Sequence, residues 1–600
     1  MSSVARLALL ATVLLACSRK PPPPPPPATG DAALAQPTIT PPAPSDAARG
    51  PVYRDPATSH VVPAIINTGK TFMVVSEGPL SSKIGKDVLA SGGNAVDAAV
   101  AVAFALAVEW PSAGNLGGGG FAVVRTAPGK AVALDFREVA PGAATETMFL
   151  DDKGNPTDAS LTGHLASGVP GSVAGLHALH VKLGKQKWAD LIAPAIALAR
   201  DGFTIDARTV RDLAQPHTSK RMLLSPASAA LWYRDGKPVP AGTLIKIPEL
   251  AATLERIAAN GPDGFYKGPT AEAIAAEMKR GGGLITTADL AAYKPVWREP
   301  LRVGYRGHTI TAMPPPSSGG IVLAMTAGML RDVDVAKLGW HSHAHVHQLA
   351  EVWKRAFAAR NQLLGDPKFV KDMPVSKLLS PALHASLAKS ITDKATSAKE
   401  AGALLEGSHT TNFCVIDANG MAVAITTTLN TSYGSGVTVA GFLLNNEMDD
   451  FTAKPGAPNT FGLIQGTANK IEPGKRMLSS MSPSIVEGPK GELVMVAGAA
   501  GGPRIITAVW QTISNVLDFG QPASEAVANR RVHHQNLPDL VRIEAGSIDQ
   551  ATEQALKAAG HTVDWSWVDR EFGTANAIVR SKAGWDGAAD PRGGGAALGD

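Results

Sequence analysis

The chain has 600 residues, of which 44% are hydrophobic and 18% are charged, a composition typical of a globular protein with a large core. The net charge of +4 and the 5% aromatic content argue against a nucleic-acid-binding protein, which would need basic clusters interleaved with aromatic residues. Only two cysteines are present, Cys17 and Cys414, so the fold is not built on disulfides.

The N-terminus has the pattern of an export signal. Arg6 precedes a ten-residue apolar stretch, 7–16, which is too short to span a membrane as a mature helix. The sequence Leu-Leu-Ala-Cys at 14–17 looks like a bacterial lipobox, which predicts a signal peptide over 1–16 and lipidation of Cys17. The alternative is an ordinary secretory signal with a chance cysteine. Both predict export, and the first predicts a periplasmic or cell-surface lipoprotein anchored to a membrane.

A run of seven prolines, 21–27, opens an Ala/Pro-rich stretch that continues to about Pro51. Such a run favours the semi-rigid polyproline II helix. We therefore predict that 17–60 is a lipid anchor and spacer, with the folded body beginning at about 61. A disordered tail without a role has the same composition.

Hydrophobic periodicity predicts a mixture of helices and strands along the rest of the chain. The predicted helices are 81–108, 188–201, 248–260, 269–280 and 342–364, and the predicted strands are 120–125, 131–136, 413–416, 422–428, 484–486 and 493–496. The apolar run 98–108 is too short to span a membrane and indicates a buried Ala/Val helix. Residues 388–407 are polar with a helical pattern and should lead into an exposed loop. These patterns alone predict a mixed α and β fold and nothing more specific.

Thr410 lies in the sequence Gly-Ser-His-Thr-Thr-Asn-Phe-Cys-Val-Ile-Asp at 407–417. An internal threonine is a poor nucleophile because its hydroxyl has no base. Cleavage before Thr410 would give this residue a free α-amine, whose pKa near 7.7–8.0 leaves about a tenth of it neutral at pH 7. Base and nucleophile would then belong to one residue.

Ten motifs occur in order: Gly-Gly-Asn-Ala-Val-Asp-Ala-Ala-Val at 92–100, Gly-Gly-Gly-Gly-Phe at 117–121, Asp-Phe-Arg-Glu at 135–138, Gly-Val-Pro-Gly at 168–171, Pro-Pro-Pro-Ser-Ser-Gly-Gly at 314–320, the Thr410 segment, Thr-Leu-Asn at 428–430, Asn-Asn-Glu-Met-Asp-Asp at 445–450, Leu-Ser-Ser-Met at 478–481 and Gly-Gly at 501–502. Together they resemble the γ-glutamyltranspeptidases, also called γ-glutamyltransferases or glutathione hydrolases. The resemblance extends from about Gly69 to about Arg592.

The resemblance implies an α+β fold, the N-terminal-nucleophile hydrolase αββα sandwich, with two stacked antiparallel sheets between helical layers. It implies self-cleavage between His409 and Thr410 into a large part, 61–409, and a small part, 410–600, which together form one heterodimeric body. It also implies a cofactor-free and metal-free enzyme acting on glutathione and other γ-glutamyl amides, with water, amino acids or peptides as acceptors.

The same resemblance assigns the catalytic residues. Thr410 attacks the carbonyl of His409 in the precursor and the γ-glutamyl carbonyl in the mature enzyme, and Thr428 orients it. Gly501 and Gly502 form the oxyanion hole, although Ala500 stands where the family often has proline. Without this context, the two threonines are ordinary strand residues and the glycine pair marks a turn.

The zwitterionic glutamyl head requires a site with both signs of charge. Arg137 matches the ligand of the α-carboxylate, which the guanidinium fork can bind bidentately, and Ser479 and Ser480 match hydroxyls that share it. The residues that match acceptors for the α-ammonium are Asn430, Glu447 and Asp450. The structural alternatives are a salt bridge from Arg137 to Glu138 or Asp135, a solvated turn at Asp449-Asp450, and a helix cap at Ser479-Ser480.

Residues 455–476 resemble the family's lid loop, with Phe461 in place of a frequent tyrosine, so apolar cover is retained and the hydroxyl is lost. Asn412 replaces a frequent histidine, with little expected consequence. Two further patterns are weaker. His341, His343, His345 and His347 precede or begin a helix, where capping and packing are favoured over metal binding. Gly117–Gly120 lacks the Gly-Lys-Ser/Thr of a phosphate loop and predicts a tight start to a core strand.

Two other functions fit the same scaffold. One is a related acylase, either a cephalosporin acylase or a poly-γ-glutamate hydrolase or transferase. The other is a non-catalytic surface lipoprotein, which would remain a single uncut chain.

Overall fold

The structure, a computed structural model, describes residues 64–398, 410–565 and 572–600. The predicted signal peptide, Cys17 lipidation and Pro-rich spacer lie outside the described residues, as does His409. The described residues all belong to one compact unit.

The strands in chain order are β1 Ile65–Gly69, β2 Met73–Ser76, β3 Gly119–Ala127, β4 Lys130–Phe136, β5 Phe203–Thr204, β6 Tyr233–Arg234, β7 Lys237–Pro238, β8 Leu244–Ile245, β9 Val296–Arg298, β10 Leu301–Tyr305, β11 His308–Ala312, β12 Thr410–Ile416, β13 Ala422–Thr428, β14 Thr438–Val439, β15 Phe442–Leu443, β16 Ser484–Glu487, β17 Leu493–Ala500, β18 Val532–His533, β19 Val541–Ile543, β20 Val563–Asp564, β21 Thr574–Ser581, β22 Gly584–Ala589 and β23 Ala596–Gly599.

The helices are α1 Pro79–Ala90, α2 Ala95–Glu109, α3 Ser172–Leu183, α4 Trp188–Asp201, α5 Ala207–Leu213, α6 Pro216–Leu224, α7 Pro226–Trp232, α8 Pro248–Asn260, α9 Asp263–Tyr266, α10 Gly268–Gly281, α11 Thr287–Ala292, α12 Gly319–Met329, α13 Val335–Leu338, α14 His343–Leu363, α15 Val375–Leu378, α16 Pro381–Lys389, α17 Arg504–Leu517, α18 Ala523–Ala528 and α19 Gln550–Ala558.

Two seven-stranded sheets form the centre of the fold. Their strand orders are β1-β22-β21-β17-β16-β11-β10 and β23-β2-β12-β13-β3-β4-β9, and neighbouring strands within each are antiparallel. Both sheets contain strands from before Thr410 and strands from Thr410 onward. Each sheet therefore requires both parts of the chain.

The central strands of the second sheet, β12 and β13, are buried on both faces because their residues alternate between two cores. Phe413 and Val415 in β12 pack with the Ala/Val helix α2, whereas Cys414 and Ile416 belong to a core that includes residues of the first sheet. The first sheet is covered on its other side by α12 and α17. The layers are thus helix, sheet, sheet, helix, which confirms the predicted sandwich.

Most predicted elements are present with boundaries shifted by a few residues, and those at 188–201, 248–260 and 422–428 match α4, α8 and β13. The single helix predicted over 81–108 is wrong, because the chain turns at Gly92, where φ is +90°, and a new helix begins at Ala95 with Asn94 as its N-cap. Asn94 and Asp97 form a capping box there. As predicted, α2 is buried along almost its whole length.

The helix predicted over 388–407 is also wrong as far as the structure describes that segment. The helix α16 ends at Lys389, and 390–398 has no helical residues. The segment is held by side chains instead, since Lys354 Nζ donates to the Thr396 carbonyl at 2.6 Å and the Ala398 amide donates to Asp539 Oδ2 at 2.7 Å. Across the described ranges, no helix combines the length and hydropathy needed to cross a membrane.

Candidate active site

Thr410 is the first residue of β12 and lies directly opposite Thr428, the last residue of β13. Because opposed residues of an antiparallel pair project to the same face, the two side chains meet. Thr410 Oγ1 donates to Thr428 Oγ1 at 3.3 Å, and Thr428 Oγ1 accepts from the Asn430 amide at 2.8 Å. The strand ladder therefore fixes the position of the candidate nucleophile.

The loop before β3 packs directly beneath this pair. A Cβ at Gly118 would lie 2.1 Å from the Thr428 carbonyl oxygen, so only glycine fits there. Asn115 Nδ2 donates to the same carbonyl oxygen at 3.0 Å. The run Gly117–Gly120 leads into β3, as predicted, and it allows the backbone to approach the candidate site closely.

Nine of the ten predicted catalytic and substrate-binding residues line one cavity, which we call the head-group pocket. The nine are Thr410, Thr428, Gly502, Arg137, Asn430, Glu447, Asp450, Ser479 and Ser480. The tenth, Gly501, lines a neighbouring cavity that also borders Thr410. Sequence positions separated by more than 300 residues thus converge on Thr410.

Arg137 forms the charged centre of the head-group pocket. Its guanidinium donates through Nη1 to Glu447 Oε1 and through Nη2 to Asp450 Oδ2. Its Nη1 also lies 3.7 Å from Glu138. The salt bridge to Glu138, which was the structural alternative to substrate binding, is therefore present together with the other two ion pairs. The Asp135 carboxylate pairs with Arg298 and Arg476 instead, and only the Arg137 amide contacts it.

Burial raises the pKa of the carboxyls around Arg137. The pKa of Glu138 is raised to about 7, and those of Glu447 and Asp450 are also raised, while the charge of Arg137 opposes the shift in each case. Both carboxyl oxygens of Glu138 and one of Glu447 lack a hydrogen-bond partner among the described residues. Of these oxygens, Glu447 Oε2 belongs to a residue that lines the pocket and is able to accept from a cation there.

The remaining predicted residues are held by the backbone. Asn430, at φ +79°, donates through Nδ2 to the Asn446 carbonyl at 2.9 Å, so its side-chain oxygen is the atom able to accept from an ammonium group. Ser479 is fixed against 314–320, since its amide donates to the Pro316 carbonyl at 2.9 Å. No helix follows Ser479 and Ser480, so the helix-cap alternative is wrong.

The pair Asp449-Asp450 belongs to a short 3₁₀ turn, 447–450, which is largely buried rather than solvated. Asp449 Oδ1 accepts from Ser160 Oγ at 2.7 Å, and Oδ2 accepts from the Thr460 amide at 3.1 Å. Burial raises the pKa of Asp449 to about 6. This carboxyl therefore joins the turn to the predicted lid.

The lid covers the head-group pocket with apolar side chains. Phe461 and Leu463 line the pocket, and the Phe461 carbonyl accepts from Gln535 Nε2 at 3.0 Å. Phe461 is buried, which fits the apolar cover predicted for it. Asn412 lies between the two sheets, where its Nδ2 donates to the Ile425 carbonyl at 2.8 Å and its own carbonyl accepts from Asn576 at 2.7 Å.

Gly501 and Gly502 lie between β17 and the N-terminus of α17, with φ values of +131° and +57°. Side chains rarely adopt such conformations, and a Cβ at Gly501 would lie 2.8 Å from Gly573 Cα. In the described part of the chain, neither amide has a hydrogen-bond acceptor. Two free N–H groups at a helix N-terminus can stabilise an anion.

Sequence reasoning missed three residues that brace the pocket. Arg360 in α14 is fully buried, and it donates to Gln465 Oε1 at 2.8 Å and to Ser480 Oγ at 3.4 Å. Gln465 and Asn469 both donate to the Asp450 carbonyl, at 3.2 and 2.6 Å. Arg360 could have been found from its position on the apolar face of α14, three residues after Phe357, where an arginine is unusual.

The four histidines near α14 serve the helix start and its packing. Ser342 caps α14 by accepting from the His345 amide at 3.2 Å. His347 lies 2.8 Å from His561 and 2.7 Å from the Thr392 carbonyl. Among the residues that the structure describes, no group of three or more His, Cys, Asp or Glu is arranged to hold a metal ion.

The sandwich, with a strand-terminal threonine beside two free amides, defines the class of an N-terminal-nucleophile hydrolase. The sequence profile described as Gamma-glutamyltranspeptidase matches residues 81–600. The chain is 46% identical to the glutathione hydrolase proenzyme of Escherichia coli (strain K12) over 532 residues, 87% of this chain and 90% of that one. The chain belongs to the γ-glutamyltranspeptidase family.

Solved structures agree with this assignment. A cephalosporin acylase from Bacillus halodurans superposes with a TM-score of 0.78 at 25% identity, covering 89% of this chain and 97% of the acylase. The γ-glutamyltranspeptidase of Helicobacter pylori gives a TM-score of 0.51 at 44% identity, covering 52% of this chain and 90% of that chain. The fold is therefore shared with acylases, whereas the higher sequence identity is to the γ-glutamyltranspeptidase.

Proposed function

We propose that this enzyme is a self-processing γ-glutamyl acyltransferase and hydrolase that acts on glutathione and other γ-glutamyl amides. One observation carries the proposal: Thr410 shares a single small pocket with Arg137, Glu447 and Asp450. A nucleophile beside clustered charges of both signs is what an acyl group with a free α-amino acid head requires.

The first proposed step is self-cleavage. The Thr410 hydroxyl attacks the His409 carbonyl carbon, and the peptide nitrogen leaves as the α-amine of Thr410, which converts the amide to an ester. Water then hydrolyses the ester and releases a large part ending at His409. The new α-amine is the base for every later turnover.

In the second step, the substrate head enters the ion-pair cluster. Its carboxylate binds Arg137 with the hydroxyls of Ser479 and Ser480, and its ammonium binds Asn430, Glu447 and Asp450. Because Glu447 and Asp450 already pair with Arg137, a zwitterion exchanges partners without leaving a buried charge alone. A head with only one charge would leave one buried group unpaired.

Acyl transfer then follows at Thr410. The α-amine takes the hydroxyl proton as Oγ1 attacks the γ-carbonyl, and the amides of Gly501 and Gly502 donate to the developing oxyanion. Thr428 holds the hydroxyl in place. The α-amine gives its proton to the departing amine, which for glutathione is cysteinylglycine, and a γ-glutamyl-Thr410 ester remains for water or an acceptor amine.

A related acylase is the second candidate, because a cephalosporin acylase shares the fold. The charges of Arg137, Glu447 and Asp450 favour a glutamyl head over a glutaryl head, which has no ammonium group. Competition between the substrate and free glutamate or glutarate distinguishes the two. Inhibition by glutarate alone would favour the acylase.

We further propose export and lipid anchoring through Cys17, with 17–60 as the spacer, on the strength of the sequence at 6–17. The mass of the N-terminal peptide after purification from a bacterial membrane tests this. A diacylated or triacylated Cys17 supports it, and an unmodified N-terminus at any other residue contradicts it.

The test of the main proposal is a denaturing gel with N-terminal sequencing, together with release of p-nitroaniline from γ-glutamyl-p-nitroanilide. We expect a fragment beginning Thr-Thr-Asn-Phe, together with its larger partner, and we expect both to elute as one species without denaturant because their strands share both sheets. A folded chain that stays uncut and inactive would support the non-catalytic alternative.

A further inference from the structure

A second cavity borders Thr410 and has no role in the chemistry described above. We call it the amine-side cavity. Its lining includes Thr410, Gly501, Glu77, Trp110, Arg208 and Gly593. Unlike the head-group pocket, it contains none of the residues that bind the glutamyl head.

The position of this cavity follows from the geometry of acyl transfer. The reacting carbonyl carbon must lie beside Thr410 Oγ1, with its oxygen near the amides of Gly501 and Gly502. One substituent of that carbon, the glutamyl chain, occupies the head-group pocket. The other substituent, the amine, must leave in a different direction, and the amine-side cavity borders both Thr410 and Gly501.

Arg208 gives the amine-side cavity a cation held in a fixed orientation. Its guanidinium stacks on the Trp110 ring, with Cζ 3.4 Å from the ring centroid. Nη1 donates to Glu77 Oε2 at 3.2 Å, and Nη2 donates to the Glu77 carbonyl at 3.1 Å. The residue is only 8% exposed, so its charge is poorly screened by water.

The Arg208 guanidinium has an N–H group that donates no hydrogen bond within the described residues. Its Nε has no hydrogen-bond partner in the described ranges, although it forms an ion pair with the Asp206 carboxylate at 3.7 Å. The C-terminal segment packs against the same group, since a Cβ at Gly594 would lie 2.8 Å from Arg208 Cζ. A stacked and braced arginine with an unused N–H suits a small carboxylate.

We propose that the amine-side cavity binds the amine half of the γ-glutamyl amide and then the acceptor, and that Arg208 binds the carboxylate of an amino acid or dipeptide there. This inference rests on the proposed function. In transfer, the neutral acceptor amine attacks the ester carbon, a C–N bond forms and the C–Oγ1 bond of Thr410 breaks. The proton lost by the amine returns to Thr410 Oγ1 through the α-amine.

The experiment compares two acceptors, glycylglycine and glycylglycinamide, which differ only in the terminal carboxylate. Transfer from γ-glutamyl-p-nitroanilide is measured for each, with concentrations corrected to the neutral amine. We expect wild type to prefer glycylglycine, and Arg208→Gln to lower the glycylglycine/glycylglycinamide ratio of kcat/KM by about tenfold to a hundredfold. Arg208→Lys, which retains the charge but not the fork, should give an intermediate ratio.

Arg211→Gln is the matched control, because Arg211 lies on the same helix, α5, and is exposed. It should leave the wild-type ratio unchanged. If neither Arg208 variant folds and self-cleaves, wild type alone decides: an absence of preference between the two acceptors overturns the inference. A ratio that Arg208→Gln does not change also overturns it. Failure of wild type to release p-nitroaniline at all contradicts the proposed function instead.

Discussion

Thr410 and Thr428 face each other at the open end of the β12–β13 ladder, with their hydroxyl oxygens 3.3 Å apart. The strand register aligns these hydroxyls before any substrate is present. The hydroxyl of Thr428 is held in turn by the Asn430 amide. The position of the candidate nucleophile is therefore a property of the sheet rather than of a loop.

Replacing Thr410 with alanine should abolish both self-cleavage and turnover, because the attacking hydroxyl is lost. A denaturing gel and p-nitroaniline release measure the two effects. Thr411→Ala is the control, since the next residue of the strand projects to the opposite face and its hydroxyl has no hydrogen-bond partner in the described structure. Complete processing of Thr410→Ala would show that another group cuts the chain.

Thr428→Val keeps the shape of the side chain and removes the hydroxyl that contacts Thr410. It also leaves the buried Asn430 amide without its acceptor, a cost of about 1–3 kcal/mol. We expect slower self-cleavage and a kcat lowered by about tenfold to a hundredfold, since a misplaced nucleophile loses its alignment. Thr428→Ser should restore most of the rate. Equal rates for the valine and serine variants would contradict an orienting role.

Gly501→Ala should lower kcat by about a hundredfold or more, because it disturbs the backbone of the proposed oxyanion hole. The added Cβ would lie too close to Gly573, and φ of +131° disfavours any side chain. Gly560→Ala is the control for backbone strain alone, since Gly560 has φ +100° in an exposed turn. A loss of thermal stability in both variants, with a loss of kcat only in Gly501→Ala, is the expected pattern.

Arg137→Lys should raise the KM for γ-glutamyl-p-nitroanilide more than it lowers kcat, because the charge remains and the bidentate fork is lost. The expected loss in kcat/KM is about tenfold to a hundredfold. Arg125→Lys is the matched control: Arg125 is also buried and paired, with Glu487, but lies farther along β3 from the pocket. If Arg137→Lys and Arg125→Lys had similar kinetics, Arg137 would not be a substrate-binding residue.

Most residues of the candidate site could be predicted from short motifs in the sequence. The partnership of Thr410 with Thr428 was predicted from the family resemblance rather than from strand patterns, because the strand predicted over 413–416 begins three residues after the start of β12 at Thr410. Thr-Leu-Asn and Asn-Asn-Glu-Met-Asp-Asp are loops at strand ends, where binding residues concentrate. The ion pairs among Arg137, Glu447 and Asp450 were not predicted, because each residue was assigned a substrate partner rather than a partner within the protein.

An arginine on the apolar face of α14 points to Arg360, but the partners of Arg360 and Gln465 could not be found from local patterns, because they are distant in sequence. The contact of Arg360 with Ser480 joins α14 to a segment 120 residues later, which only the tertiary fold brings together. The helix predicted over 388–407, which is wrong for the described residues 390–398, has a related cause. Its helical pattern was overridden by tertiary contacts, in which Lys354 and Asp539 bind the backbone of Thr396 and Ala398.

The buried carboxyl of Asp449 should make stability depend on pH. Burial raises its pKa from the ordinary 3.8 to about 6, so the folded state binds this proton more tightly than the unfolded state. The stabilisation is complete below pH 3.8 and is lost as pH rises through 6. In the uncut Thr410→Ala background, Asp449→Asn should therefore gain thermal stability relative to its parent between pH 4 and pH 7. Asp201→Asn, at an exposed aspartate, should have the same pH dependence of thermal stability as the parent. If the stability difference between Asp449→Asn and its parent were constant across that range, the raised pKa would be contradicted.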